Sequence, residues 1–176
     1  QKCTATRRVI TVGAQPEFEA AFISAVETIQ VGDPAEAVNL VGPLINQSAR
    51  DNFVQALQAA SAGEVVSGGR VIEGRGWFVQ PTILRGIPAD HPLSCQEVFG
   101  PLVTLHSVPS IENAIELANA VPYGLVTSVH GRDYSSLLQV VTGVDTGMIK
   151  VNAPTAGIDF YAPFGGEKDS SIGMRE

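Results

Sequence analysis

Hydrophobic residues recur along this chain with two periods that alternate from one end to the other. Short apolar, β-branched runs that end at Gly, Pro or polar residues predict strands over 7–12, 64–69, 102–108, 125–131 and 147–153, and the stretch 77–84 is expected to be extended. Apolar residues spaced three and four apart predict helices over 16–30, 48–63, 110–120 and 134–143. Strands alternating with helices are typical of the α/β class, and we expect an open, mostly parallel, twisted sheet with helices on both faces.

Capping residues predict where three of the helices begin. Ser48, Ser110 and Asp133 each stand at the start of a helical pattern, and their side-chain oxygens can accept hydrogen bonds from free N–H groups of the first turn. The final stretch, 153–176, is rich in Gly, Pro and Ser and has no period. A loop of this length in a compact domain is usually functional or a docking segment.

Composition and charge narrow the functional classes. The 176 residues are 44% hydrophobic and 16% charged, which fits one globular domain with a sizeable core. The net charge is −7, and the only basic cluster is Arg7–Arg8, so neither nucleic acid nor an acidic membrane surface is the expected partner. No apolar run approaches the roughly 20 residues that span a bilayer. Two cysteines are too few for a disulfide framework, which favours a reducing, cytoplasmic location.

Three familiar site motifs are excluded because the residues do not have the required spacing. In the stretch 165–170, Glu167 separates the glycines from the lysine, whereas a phosphate-binding loop needs Gly and Lys adjacent. Gly74 and Gly76 lack the third glycine of a dinucleotide fingerprint. The histidines and Cys95 lie on different predicted elements without the spacing of paired ligands, so we expect no metal site.

Residue types alone leave the role of Cys3 open. Lys2, Arg7 and Arg8 are cationic neighbours in sequence, and a positive field favours the reactive thiolate of a cysteine. A thiol this close to the first residue can equally be an exposed bystander. A cysteine hydrolase would also need a histidine base, and nothing in the sequence places a histidine beside Cys3.

Seven sequence blocks, in order, resemble the aldehyde dehydrogenase superfamily, and the likeness extends through the whole chain. One block alone would be suggestive, whereas seven in order are specific. The blocks are QKCTATRR (1–8), GPLIN (42–46), GWFVQPTIL (76–84), QEVFGPLV (96–103), ANAVPYGLVTSV (118–129), GMIKVN (147–152) and APFGGEKDSSIG (162–173).

The resemblance implies that Cys3 is the catalytic nucleophile and that NAD or NADP is the cofactor. The Cys3 thiolate would attack an aldehyde carbonyl, and its backbone N–H would supply one donor to the resulting oxyanion. Loss of hydride would then leave a thioester that water hydrolyses to the acid. By the same matching, Glu97 would accept hydrogen bonds from the nicotinamide ribose hydroxyls, and Phe99 would pack near the nicotinamide.

The resemblance also implies a substrate tunnel. Lys2 and Thr4 flank the nucleophile and would line the tunnel, with Ile158 and Phe164 on its wall. The residues for which the match implies a structural role are Asn152, Gly165 and Gly166, the first as an amide that braces a loop and the glycines as turns that a side chain would obstruct.

Several parts of the family's machinery find no match here. In that family the glycine-rich cofactor domain, the asparagine of the oxyanion hole and the glutamate that activates water lie upstream of the cysteine. The chain also stops at 173–176, before the family's usual C-terminal strand. We therefore expect that 1–176 is a catalytic-domain portion truncated at both ends, that the cofactor-binding domain is absent from this chain, and that the portion alone lacks appreciable activity. We expect the full-length protein to be a homodimer or homotetramer.

The substrate expected from the resemblance is a small aldehyde. Most members of that family have Ser-Gly where this chain has Ser170–Ser171. The branch that the stretches 157–176 and 1–8 resemble more closely is the 2-oxoglutarate semialdehyde (2,5-dioxopentanoate) branch, which acts in sugar-acid catabolism. Two alternatives stay open at this stage. One is a CoA-acylating aldehyde dehydrogenase, and the other is a non-catalytic interaction module that retains the fold.

Overall fold

The computed structural model describes residues 2–172, which form two compact units. Unit 1 comprises Arg7–His106, and unit 2 combines Lys2–Thr6 with the described residues from Ser107 onward. Residues 173–176 lie outside the described residues. They include the last residue of the seventh matched block and the C-terminal residues named in the sequence analysis. Strands and helices alternate in both units, and each unit contains a parallel strand pair, so the predicted α/β class is confirmed.

Unit 1 is built around a four-stranded sheet with the strand order β1–β6–β5–β2. Strands β5 and β6 are parallel, with Thr82 opposite Leu102, whereas β2 and β5 are antiparallel. A separate antiparallel pair joins β3 and β4. The elements of this unit are β1 (Arg8–Val12), α1 (Pro16–Glu27), α2 (Gln47–Ala59), β2 (Glu64–Ser67), β3 (Val71–Ile72), β4 (Phe78–Val79), β5 (Thr82–Arg85), α3 (Pro92–Cys95) and β6 (Leu102–Val108).

The core of unit 1 fixes both ends of the loop at 96–101. Phe53 of α2 is fully buried, and it belongs to one apolar cluster with Leu93 of α3 and Leu102 of β6. Burying a side chain of this size stabilises the fold by about 2–3 kcal/mol. Because Leu93 and Leu102 stand on either side of 96–101, this packing anchors the segment that carries Glu97 and Phe99.

Unit 2 contains a parallel strand pair joined through a helix. Strands β8 and β9 are parallel, as a strand–helix–strand connection requires, and β7 pairs with β10 in the antiparallel sense. The predicted caps are confirmed: Ser110 accepts from the N–H of Asn113, and Asp133 accepts from the N–H of Ser136. The elements are α4 (Ile111–Asn119), β7 (Tyr123–Gly124), β8 (Val126–Val129), α5 (Tyr134–Gly143), β9 (Met148–Val151) and β10 (Glu167–Lys168).

The predicted start of one helix was wrong. Helix α2 is capped by Asn46, whose Oδ1 accepts from the N–H of Ala49 at 2.9 Å, so Ser48 lies inside the first turn. The stretch 77–84, expected to be extended, contains β4 and β5, which Pro81 separates because it has no N–H for a ladder. None of the helices in residues 2–172 combines the length and apolar character that crossing a bilayer requires.

Candidate active site

Cys3 lies in a tight turn of unit 2 with its side chain exposed. The N–H of Ala5 donates to the carbonyl of Lys2 at 3.0 Å and closes this turn. Thr4 is only 7% exposed, whereas Lys2 and Cys3 on its N-terminal side both face solvent. The thiol is therefore accessible on a backbone that a buried neighbour holds in place.

A hydroxyl contact joins the Cys3 segment to the aperiodic loop at 153–166. The Oγ1 atoms of Thr6 and Thr155 are 3.3 Å apart, although 149 residues separate them in sequence. Thr6 follows Cys3 by three residues, and Thr155 precedes Ile158 by three residues. The contact therefore joins the segment that carries the predicted nucleophile to the loop that carries Ile158.

The loop at 153–166 is fixed at its start by Lys150 of β9. Its Nζ donates to the carbonyl of Ala156 at 3.1 Å and to that of Gly157 at 3.0 Å. Ile158 comes directly afterwards and is half-buried, while Phe164 is 41% exposed. An ammonium group bound to two adjacent carbonyls restrains the peptide that immediately precedes Ile158.

The structural roles implied for Asn152 and Gly166 are confirmed. Asn152 has φ +51°, and its amide both accepts from the N–H of Gly131 and donates to the carbonyl of Gly131. A β-carbon on Gly166 would lie 2.6 Å from Cβ of Ser170, so a side chain would displace the turn. Gly165 is buried beside it.

Glu97 and Phe99 belong to unit 1, on the loop at 96–101 between α3 and β6. Both side chains are exposed, Phe99 by 47%. Arg7 braces this loop, because its Nη1 donates to the carbonyls of Gly100 at 3.1 Å and Leu102 at 2.7 Å. Burial lowers the pKa of the Arg7 guanidinium, and the Glu97 carboxylate opposes that shift. Glu97 therefore presents an exposed carboxylate, an acceptor for hydroxyl groups, on a braced loop.

The second arginine, Arg8, is also half-buried in unit 1. Burial lowers its pKa, and the electrostatic interaction with the nearby Cys95 side chain opposes that shift. Burial likewise lowers the pKa of His106, and the positive charge of Arg8 lowers it further. Both cysteines are free thiols. Among residues 2–172, no group of three or more His, Cys, Asp or Glu side chains is arranged to hold a metal ion.

Residue-type reasoning missed the contacts that three side chains make in the two candidate regions, namely Arg7, Lys150 and Thr155. Only Lys150 left a usable signal, because it is a charged residue within an otherwise apolar strand pattern at 147–153. The acceptors of Arg7 are 93 and 95 residues away in sequence, and Thr155 is 149 residues from Thr6. Such contacts depend on the tertiary fold and not on local pattern.

Comparison with known proteins shows the same family along the full chain. The chain is similar to an alpha-ketoglutaric semialdehyde dehydrogenase from Bacillus subtilis, with 32% identity over 183 aligned positions that cover 100% of this chain and 38% of that protein. It is also similar to a succinate-semialdehyde dehydrogenase from Paenarthrobacter nicotinovorans, with 37% identity, 98% of this chain and 39% of that protein.

A solved structure agrees with these relatives. A double mutant of betaine aldehyde dehydrogenase from Staphylococcus aureus, in complex with NAD⁺, superposes with a TM-score of 0.92 at 28% identity, covering 98% of this chain and 36% of that one. The chain therefore spans between a third and two fifths of the length of the proteins it resembles. The model of the aldehyde dehydrogenase family matches residues 1–176, and this chain belongs to that family.

Proposed function

We propose that this chain is the cysteine-bearing part of an NAD(P)⁺-dependent aldehyde dehydrogenase that oxidises a small aldehyde to a carboxylic acid. The observation that carries the proposal is the exposed Cys3 thiol on a turn anchored by buried Thr4. The Thr6–Thr155 contact sets this turn beside the loop of Ile158. An accessible thiol on a fixed backbone, next to a partly apolar wall, suits nucleophilic attack on a bound carbonyl.

The chemistry assigned to Cys3 balances as an oxidation by two electrons. The Cys3 thiolate forms a C–S bond to the aldehyde carbon, and the carbonyl electrons move to oxygen, giving a thiohemiacetal oxyanion. NAD(P)⁺, when bound, accepts the hydride that leaves this carbon. The resulting thioester on Cys3 is cleaved by water, which restores the thiol and releases the acid. The N–H of Cys3 is one donor to the oxyanion, and the exposed Lys2 and the side chain of Thr4 flank the reacting sulfur.

The residues present in unit 1 suit a nicotinamide cofactor. Glu97 offers two carboxylate oxygens to vicinal hydroxyls of a ribose, and Phe99 offers a half-exposed ring to a planar heterocycle. The Arg7 hydrogen bonds to Gly100 and Leu102 hold their loop. NAD⁺ and NADP⁺ share this nicotinamide ribose, so both stay candidates for Glu97.

The substrate that we favour is a short semialdehyde with a distal carboxylate. Both relatives compared above are named for such compounds, and the C-terminal stretch leans towards the 2-oxoglutarate semialdehyde branch of sugar-acid catabolism. Ile158 and Phe164 would form the wall of its tunnel. We place the protein in a reducing compartment such as the cytoplasm, because the reaction requires a free thiol at Cys3. We expect the intact protein to be a homodimer or homotetramer.

Activity of the intact protein is proposed to require groups outside 1–176, since its relatives are more than twice as long. These groups are the water-activating base, the second oxyanion donor and most of the cofactor site. The isolated chain is therefore expected to produce no NAD(P)H from an aldehyde. Robust aldehyde-dependent absorbance at 340 nm from the 176-residue chain would contradict this expectation.

The two cysteines provide a matched pair for testing the nucleophile in the intact protein. Cys3→Ser is expected to lower kcat/KM by roughly 10³-fold or more, because an unactivated hydroxyl is a poor nucleophile at neutral pH. Cys95→Ser should stay within about twofold of wild type, since the Cys95 thiol lies on unit 1 and donates to the carbonyl of Ala89, which a serine hydroxyl can also do. Retained activity in Cys3→Ser would overturn the proposal. Alkylation of Cys3 at the rate of free cysteine would favour a non-catalytic module.

A further inference from the structure

Lys150 has an unusual set of partners for a lysine on a strand. Its ammonium group donates to the carbonyls of Ala156 and Gly157, at 3.1 and 3.0 Å, and the ion pairs found among residues 2–172 do not include it. The acid closest to its acceptors in sequence, Asp159, accepts instead from the hydroxyl of Tyr161 at 3.2 Å. The positive charge of Lys150 is thus directed at the backbone of one loop.

The two acceptor carbonyls belong to the peptide groups on either side of Gly157, so the Lys150 contact restrains the loop at that glycine. Gly157 has φ +75°, a region open to glycine, so the chain has wide conformational freedom at this residue unless something holds it. Charge-assisted hydrogen bonds to the carbonyls at 156 and 157 orient the peptide planes on both sides of Gly157. Those planes determine the direction in which the chain enters Ile158.

The same loop also touches the nucleophile segment. Thr155 stands directly before Ala156 and contacts the Thr6 hydroxyl at 3.3 Å. The turn from Lys2 to Ala5 keeps Cys3 within a few residues of that contact. A shift of 155–158 therefore changes the distance between the Cys3 sulfur and the side chain of Ile158.

We propose that Lys150 is a positioning residue that sets aldehyde selectivity by holding the loop of Ile158 at a fixed distance from Cys3. The inference rests on the proposed function of Cys3 and deepens it. Lys150 itself touches neither substrate nor cofactor in this assignment. Its effect passes through the Gly157–Ile158 backbone, so a residue outside the tunnel wall selects among substrates.

Lys168 provides a matched control. Its Nζ also donates to two backbone carbonyls, those of Asn119 at 2.7 Å and Val121 at 3.2 Å, and it lies 3.7 Å from the Asp145 carboxylate. These partners are at the end of α4 and do not belong to 155–158. Lys168→Met therefore removes the same charge and the same number of carbonyl contacts without releasing the loop.

The experiment compares Lys150→Met, Lys150→Arg and Lys168→Met with wild type in the intact protein. The readout is the ratio of kcat/KM for succinate semialdehyde to that for a longer, uncharged aldehyde such as hexanal. We expect Lys150→Met to change this ratio roughly tenfold, since small displacements of a substrate wall have effects of this order or larger. Lys150→Arg, which keeps donors for the two carbonyls, should restore the ratio to within about threefold. Lys168→Met should lower Tm and leave the ratio unchanged.

Amide hydrogen exchange in the absence of substrate gives an independent readout. Lys150→Met should speed exchange across 155–162, and Lys168→Met should not. An active Lys150→Met with the wild-type ratio would overturn this proposal and leave the proposed function standing, as would unchanged exchange in the loop. An intact wild type that oxidises no aldehyde would overturn the proposed function itself, and with it any role in selectivity. If Lys150→Met does not fold, Lys150→Gln takes its place in both measurements.

Discussion

Asn152 and Gly131 exchange two hydrogen bonds. The N–H of Gly131 donates to Oδ1 of Asn152 at 2.9 Å, and Nδ2 of Asn152 donates to the carbonyl of Gly131 at 3.0 Å. Asn152 directly follows β9 and Gly131 comes two residues after β8, so the pair joins the carboxyl ends of two parallel strands. Ligand sites of open α/β sheets lie at such ends, and the loop of Ile158 begins here.

The first prediction concerns the backbone of Asn152. Asn152→Ala removes both side-chain hydrogen bonds and leaves a β-carbon at φ +51°, where alanine is disfavoured. We expect the free energy of unfolding of the 176-residue chain to fall by about 1–2 kcal/mol, measured by urea denaturation. Asn152→Gly also loses the hydrogen bonds but tolerates this φ, so its loss should be smaller. A glycine variant less stable than the alanine variant would contradict this account.

The features that were predicted correctly from the sequence are those that residues within one helical turn determine. Ser110 and Asp133 each accept from the N–H three residues later, and a strong cap followed by a periodic apolar face marks that geometry within one turn. The start of α2 was misplaced because two capping residues, Asn46 and Ser48, stand two positions apart. Either side chain can cap, and tertiary packing of α2 decides which one does.

The contacts at the candidate site join residues that are far apart in sequence. The order of the motif blocks, and not residue type alone, singled out Cys3 and Glu97 as candidate site residues. No pattern in the sequence pairs Thr6 with Thr155 or Arg7 with Leu102, because their proximity arises only after the intervening strands have assembled. Positioning residues are therefore harder to predict than the reactive groups they support.

The second prediction uses the two competing caps of α2. Asn46→Ala removes the acceptor of the Ala49 N–H and should lower the free energy of unfolding by about 1 kcal/mol. Ser48→Ala is the matched control, because Ser48 lies inside the helix, where alanine has the higher helix propensity. We expect it to be neutral or slightly stabilising in the same urea measurement. A larger loss in Ser48→Ala than in Asn46→Ala would show that the helix begins later than Gln47.

The third prediction tests the cofactor role of Glu97 in the intact protein. Glu97→Gln keeps the side-chain shape but replaces one acceptor oxygen by a donor and removes the charge, so hydrogen bonds from ribose hydroxyls should weaken. We expect the KM for NAD(P)⁺ to rise roughly tenfold, while the KM for the aldehyde changes far less. Glu36→Gln, an exposed acid elsewhere on unit 1, is the control. An unchanged cofactor KM in Glu97→Gln would remove Glu97 from the cofactor site.

The last prediction concerns pH and His106 of unit 1. His106 is half-buried, with Nε2 3.0 Å from the Thr104 hydroxyl, and burial together with the Arg8 charge lowers its pKa below the usual 6.5. The unfolded chain then binds a proton at His106 more readily than the folded chain does, so above about pH 6.5, where His106 is neutral in both states, its protonation costs no stability. As the pH falls from 6.5 towards the lowered pKa of His106 in the folded chain, the free energy of unfolding decreases progressively. Tm of the 176-residue chain should therefore decline between pH 7.5 and pH 5.5, and His106→Gln should flatten that decline. A His106→Gln variant with the wild-type slope would show that protonation of other groups, and not of His106, controls stability in this range.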